Sequence, residues 1–168
     1  MSSSRGLTLV VFLLAVGFSL SGSAGEASAF ERIGEPYESI RQILLHDSFK
    51  GVSSEAEQIR RVLEALEKDF SAERAGIKAD GADRFRELMP SLRAAASDLE
   101  AAGTIEGARE AFGELSKALV RYRQLLPESE TVVVFCSMAQ KVWLQTHEEI
   151  GNPYYGQSMA RCGEVVSE

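Results

Sequence analysis

The chain has 168 residues, and 25 acidic against 18 basic side chains give a formal net charge of −7. An acidic chain without a basic patch argues against nucleic acid, whose phosphates demand clustered Lys and Arg, and equally against anionic lipid headgroups. The length suits a single domain with a real core, and neither an internal repeat nor a low-complexity segment interrupts it.

The N-terminus is expected to be an export signal. One positive charge, Arg5, precedes fourteen residues without charge (7–20), and small residues follow to Ala29. This is the order of a secretory signal, and the run falls short of the ~20 residues a spanning helix needs. Ala27-Ser28-Ala29 fits a cleavage site that leaves Phe30 first in the mature chain; Ala24 is a second such site. The expected organisation is a signal peptide over 1–29 and one domain over 30–168, periplasmic or secreted, with no membrane contact once the signal is cleaved.

From residue 33 to residue 126 the apolar residues recur at helical spacing. Ile33, Tyr37, Ile40 and Leu44 form a first stripe, with Pro36 placed at a first helical position. Ile59, Val62, Leu63, Leu66 and Phe70 form a second, behind a capping-box pattern at Ser54 and Glu57. The third runs through Phe85, Leu88, Met89, Leu92, Ala95, Ala96 and Leu99, where Pro90 is expected to kink or divide the helix. The fourth opens near Thr104 and carries Ala108, Phe112, Leu115, Leu119, Tyr122 and Leu126 up to Pro127. Four such helices with short connections pack most economically as an up-down bundle. The apolar stripes read as core, and His46, isolated at a helix end, reads as a C-terminal cap rather than a ligand.

Beyond Pro127 the chain changes character. Thr131-Val132-Val133-Val134-Phe135 is β-branched and aromatic and reads as a strand or extended segment. Residues 139–149 are expected to be helical, and Asn152-Pro153-Tyr154-Tyr155-Gly156 to form a turn. The fold class expected is therefore all-α: a bundle of about four helices with a short extended segment and an irregular, sulfur-bearing C-terminal tail.

Both cysteines and two of the four methionines fall in this tail. In an extended segment Cys136 and Met138 share a face, and in a helical turn Met159 and Cys162 do. Converging, the four sulfurs would suit Cu(I), which thiolate and thioether donors select over harder cations. The same cysteines support a second reading, because an oxidising compartment favours a disulfide. A Cys136–Cys162 bridge would contribute roughly 3 to 4 kcal/mol by chain entropy. In that case Met138 and Met159 only pack around it, and Trp143 and Tyr154-Tyr155 offer a partner surface on a non-enzymatic interaction module.

Phe135-Cys136-Ser137-Met138-Ala139, Trp143-Leu144-Gln145, Asn152-Pro153-Tyr154-Tyr155-Gly156 and Met159-Ala160-Arg161-Cys162-Gly163 together resemble a bacterial periplasmic domain. That domain occurs alone or fused to the adaptor subunits of Cus-type copper/silver efflux systems. Its pattern runs Cys-Pro-Met, Trp-Leu, Asn-Pro-Tyr-Phe/Tyr-Gly, Met-x-x-Cys-Gly. The resemblance implies a helical domain that handles Cu(I) or Ag(I) beside an efflux-system subunit or another periplasmic metal-handling protein, with Cys136, Met138, Met159 and Cys162 as metal ligands. Ser137 departs from the pattern where proline stands, which frees the backbone between the first two sulfurs. No catalytic residue is expected: His147 lies eleven residues from Cys136 in a solvent-facing run, where it is a candidate auxiliary ligand rather than a base, and neither a Cys-x-x-Cys motif nor a phosphate-cradling glycine loop occurs.

Overall fold

Five α-helices and a three-stranded antiparallel sheet make up the computed structural model, which describes residues 26–166. The expected signal segment lies outside the described residues apart from residues 26–29.

Helix α1 (Ala29–Leu45) starts from Ser28. The Ser28 hydroxyl accepts the Glu31 amide, and the Glu31 carboxylate accepts the Ser28 N–H at 2.7 Å, a complete capping box. Pro36 lies inside this helix rather than at its start. The capping box expected at Ser54 does not form. Helix α2 (Val52–Lys68) begins earlier, from Gly51 at φ 100°, and Ser54 Oγ donates back to the Gly51 carbonyl. A short α3 (Ala72–Ala75) and a 3-10 turn (Ala79–Gly81) lead into α4 (Ala82–Glu100). Pro90 does not divide α4. Pro90 and Arg86 are both exposed, so the Arg86 carbonyl that loses its donor turns to water instead of being stranded in the core. Helix α5 (Ile105–Arg123) opens on Thr104, whose hydroxyl accepts the Gly107 amide at 3.1 Å.

The four long helices form the expected bundle: α1 on α2, α2 on α4, α4 on α5, and α5 back against α1. Ile40, Leu44, Ile59, Leu63, Phe85, Leu92, Leu99, Phe112 and Leu115 are fully buried between them. Each large side chain so buried contributes about 1.5–3 kcal/mol. Phe85 stacks on Phe70 at 5.5 Å and leans on Tyr122 at 4.6 Å, which ties α4 to α5 and to the turn after α2.

The expectation of an all-α chain is overturned beyond Pro127. Strands β1 (Val132–Cys136), β2 (Lys141–Gln145) and β3 (Glu164–Val165) form a sheet in the order β2-β1-β3. Part of the segment expected to be helical, residues 139–149, is thus strand β2. A four-residue loop with Gln140 left-handed at φ 54° reverses the chain, and five residues rich in Val, Trp and Leu then pair in register with β1 from Cys136↔Lys141 to Val132↔Gln145. Buried cross-strand pairs such as Val134↔Trp143 outweigh helix formation in so short a segment.

The sheet lies on α5, and the outer edge of β2 meets the bundle. Two tyrosines satisfy the backbone groups there. Tyr37 of α1 accepts the Leu144 amide at 3.0 Å and pairs with Ser116 of α5 at 2.7 Å, while Tyr154 Oη donates to the Val142 carbonyl at 2.5 Å. An edge strand is thereby closed by side chains rather than left open.

Candidate functional site

The two cysteines meet. Strand period two puts Cys136 on the same face of β1 as Val134, and the antiparallel register of β1 with β3, continued by one pair, sets Gly163 beside it. Gly163 at φ 149° carries the chain against the sheet. A Cβ there would stand 2.8 Å from Trp143 Cη2 and 2.9 Å from Val134 Cγ1, so glycine is required by contact as well as by backbone. The preceding residue, Cys162, is brought to Cys136 with an Sγ–Sγ distance of 3.0 Å. Both are free thiols, well beyond the ~2.05 Å of a bond.

Their surroundings differ. Cys136 is fully buried, whereas Cys162 is half-buried at the surface. The hairpin loop folds over Cys136 and directs backbone amides at its sulfur, with Ala139 N at 3.5 Å and Met138 N joining it. Burial by itself pushes the Cys136 thiol up. The hydrogen bond from Cys162 and the Ala139 and Met138 amides outweigh it, so Cys136 lies below the ordinary cysteine range. Cys162 is raised, first by its hydrogen bond to Cys136 and then by burial. The mutual hydrogen bond thus moves the two thiols in opposite directions, down at Cys136 and up at Cys162.

The methionines lie close in sequence to the cysteines, Met138 just beyond the end of β1 and Met159 three residues before Cys162. Met138 is in the β1–β2 loop and 63 % exposed. Its carbonyl accepts the Tyr155 hydroxyl at 3.1 Å, which ties that loop to the Asn-Pro-Tyr-Tyr-Gly turn. Met159 closes a 3-10 turn (Gly156–Met159), half-buried, and its carbonyl accepts the Cys162 amide at 3.0 Å. Among the described residues no three His, Cys, Asp or Glu side chains come together in a way that could hold a metal. His147 thus does not join the two cysteines. It lines a surface groove of about 440 Å³ together with His46, Arg41, Glu149 and Arg161. A metal bound at the thiols would rely on sulfur alone, and the donors on these loops are of the soft kind that suits Cu(I) or Ag(I).

The side chains that hold this arrangement are mostly ones that sequence spacing does not single out. Asn152, fully buried, accepts the Tyr154 and Tyr155 amides on its side-chain carbonyl and donates to the Cys162 carbonyl at 2.8 Å. An asparagine before proline signals such a side-chain-built turn. Arg41, 3 % exposed, donates to the Gly151 carbonyl at 2.6 Å and is neutralised by Glu38 of its own helix. Its place between Tyr37 and Leu44 on the apolar stripe of α1 is the signal that marks it. Arg109 of α5 reaches the Pro153 carbonyl at 2.9 Å and pairs with Asp47, whose other oxygen accepts the Gln157 amide. Trp143 and Tyr154, expected to offer a partner surface, are instead buried: Trp143 is 0 % exposed, with its ring edge-on to Tyr154 at 5.8 Å. Tyr155 is half-buried.

Comparison with protein-family models, with curated proteins and with solved structures finds no match to this chain.

Proposed function

We propose that the protein is a non-enzymatic periplasmic carrier that holds Cu(I) or Ag(I) on its C-terminal sulfurs and passes it to a subunit of an efflux system or another metal-handling protein. The observation that supports this most is the meeting of Cys136 and Cys162 at 3.0 Å, each with a methionine two or three residues away in the chain. A Cys136 thiol held below the ordinary cysteine range lowers the proton penalty of binding a soft cation. The exposed Met138 would be the first thioether an incoming ion meets.

Competition of the reduced protein against a Cu(I) chelator tests the proposal. Cys136→Ser or Cys162→Ser is expected to weaken binding by more than about 100-fold, above the range for losing a supporting partner, and Met138→Leu or Met159→Leu by less. Unchanged affinity in either cysteine variant overturns it. Export itself is tested by the mass of the mature chain. Cleavage after Ala29 would remove Ser28, its capping box and the buried Ala29, at a cost of about 1 kcal/mol for the cap alone. Cleavage after Ala24 keeps all three, so a mature chain beginning at Gly25 is expected.

The thiol contact also favours the second reading, a domain clasped by a Cys136–Cys162 disulfide that binds no metal. It predicts that protein isolated from its compartment has no titratable thiol and takes up no Cu(I) after reduction.

A further inference from the structure

The two thiols are unequal in access, and that inequality bears on a chemistry separate from metal carriage. Cys136 is sealed: it is 0 % exposed, under the loop whose Ala139 amide lies 3.5 Å from its sulfur. Cys162 is half-buried, between exposed Arg161 and half-buried Gly163, with its carbonyl held by Asn152 and its amide by Met159. The Sγ–Sγ axis therefore runs from the surface inward over 3.0 Å. Thiol–disulfide exchange requires the attacking sulfur, the attacked sulfur and the leaving sulfur to lie roughly in line, and the site of attack follows access. Of the two residues, only Cys162 has surface in contact with solvent.

We infer that Cys136 and Cys162 form a directional thiol–disulfide exchange centre, in which a small external thiol enters at Cys162 and Cys136 is the sulfur released. In the reducing direction an external thiolate attacks Cys162 Sγ of the Cys136–Cys162 disulfide. A sulfur–sulfur bond forms to the reagent, the Cys136–Cys162 bond breaks, and its electron pair leaves on Cys136 Sγ beneath the Met138 and Ala139 amides. A second external thiolate attacks the reagent sulfur of the mixed disulfide and releases Cys162, which takes up a proton. The protein gains two electrons, and two external thiols become one external disulfide. The same path run backwards, with a small disulfide as oxidant, closes the bridge: Cys162 takes the mixed disulfide and Cys136 displaces it. The inference stands whether or not the thiols carry a metal.

The test uses metal-free full-length protein in chelator, with glutathione and its disulfide as probes. Reduced wild-type protein in glutathione disulfide is expected to lose two hydrogens by mass and to regain them in glutathione. Cys136→Ser is expected to accumulate a glutathione adduct on Cys162 at least about tenfold faster than Cys162→Ser does on Cys136. Limiting iodoacetamide on the reduced wild-type protein needs no variant, and peptide mapping is expected to find the first label on Cys162. A wild-type protein that never closes overturns the inference, and so does first labelling at Cys136. Should a variant lose the buried fluorescence of Trp143, the wild-type labelling order decides.

Discussion

The helical body and the C-terminal cap of this molecule are held by opposite means. Between α1, α2, α4 and α5 the buried contacts are mainly apolar side chains, and Phe85, Leu92, Leu99 and Phe112 have no exposure at all. The cap has apolar residues of its own, but its loops and the free edge of β2 are gripped by polar side chains bonding to backbone: Arg41 on Gly151, Arg109 on Pro153, Asn152 on Cys162, Tyr37 on Leu144 and Tyr154 on Val142. No buried side-chain nitrogen or oxygen among the described residues lacks a partner. An apolar interior answers mainly to volume and tolerates substitutions that conserve it. A loop held by single donors and acceptors answers to individual atoms, because an orphaned buried group loses its full hydration. The sulfur pair lies where the two kinds of structure meet: Cys136 is part of the apolar interior, and the Cys162 carbonyl is held by Asn152.

This contrast can be broken from either side. The largest effect is expected in the body. Phe85→Ala removes a fully buried ring that touches both Phe70 and Tyr122, and should lower the unfolding free energy by about 4 kcal/mol in urea titration. Retention of the wild-type midpoint would mean that the bundle is not the main source of stability. Next comes Gly163→Ala, expected to be unfavourable by about 3 kcal/mol, from backbone strain and the new contacts with Trp143 and Val134. Its signature is local: Trp143 emission should shift to the red and both thiols should react fast, while helical circular dichroism persists. Loss of the helical signal in parallel would show that cap and body unfold as one.

Smallest of the three is a pH effect at Asp47, which sits exposed at φ 54° between Arg109 and the Gln157 amide. The Arg109 hydrogen bond, then the Gln157 amide, hold its carboxyl below the ordinary range. A depressed carboxyl stabilises the fold above its unfolded value, about 3.9, and that contribution fades as pH falls through the folded one. Asp47→Asn keeps a residue that tolerates the left-handed backbone. The variant should be slightly less stable than wild type at neutral pH and converge with it in acid. A gap that stays constant with pH would remove Asp47 from the clamp.

Legibility followed the same divide. The four long helices could be read from apolar period alone, since each spans four or more turns and its buried stripe repeats several times. Strand β1 was readable from its run of β-branched residues. Strand β2 was not, because five residues around Val142, Trp143 and Leu144 carry too short a pattern to separate strand from helix, and the pairing that decides it is tertiary. Ser28 was read as part of a cleavage site, which hid a helix cap behind a processing signal. Clustering of Cys136 and Cys162 was visible in the sequence, but their unequal burial was not. That inequality depends on the loop over Cys136 and on Gly163 passing against Trp143, neither of which leaves a periodic trace.

The short strand β3 has a consequence in time as well as in space. It brings in residues 164 and 165, and its pairing with β1 is what returns Cys162 to Cys136. The segment before it is gripped by α1 and by the turn that follows α1, at separations of 110 residues for Arg41 to Gly151 and for Asp47 to Gln157. Contacts so distant along the chain form late. Until β3 docks on β1 the two thiols are separate and there is no site. Whatever reaches Cys136 before β3 docks finds it without its partner, and only that docking brings Cys162 against it.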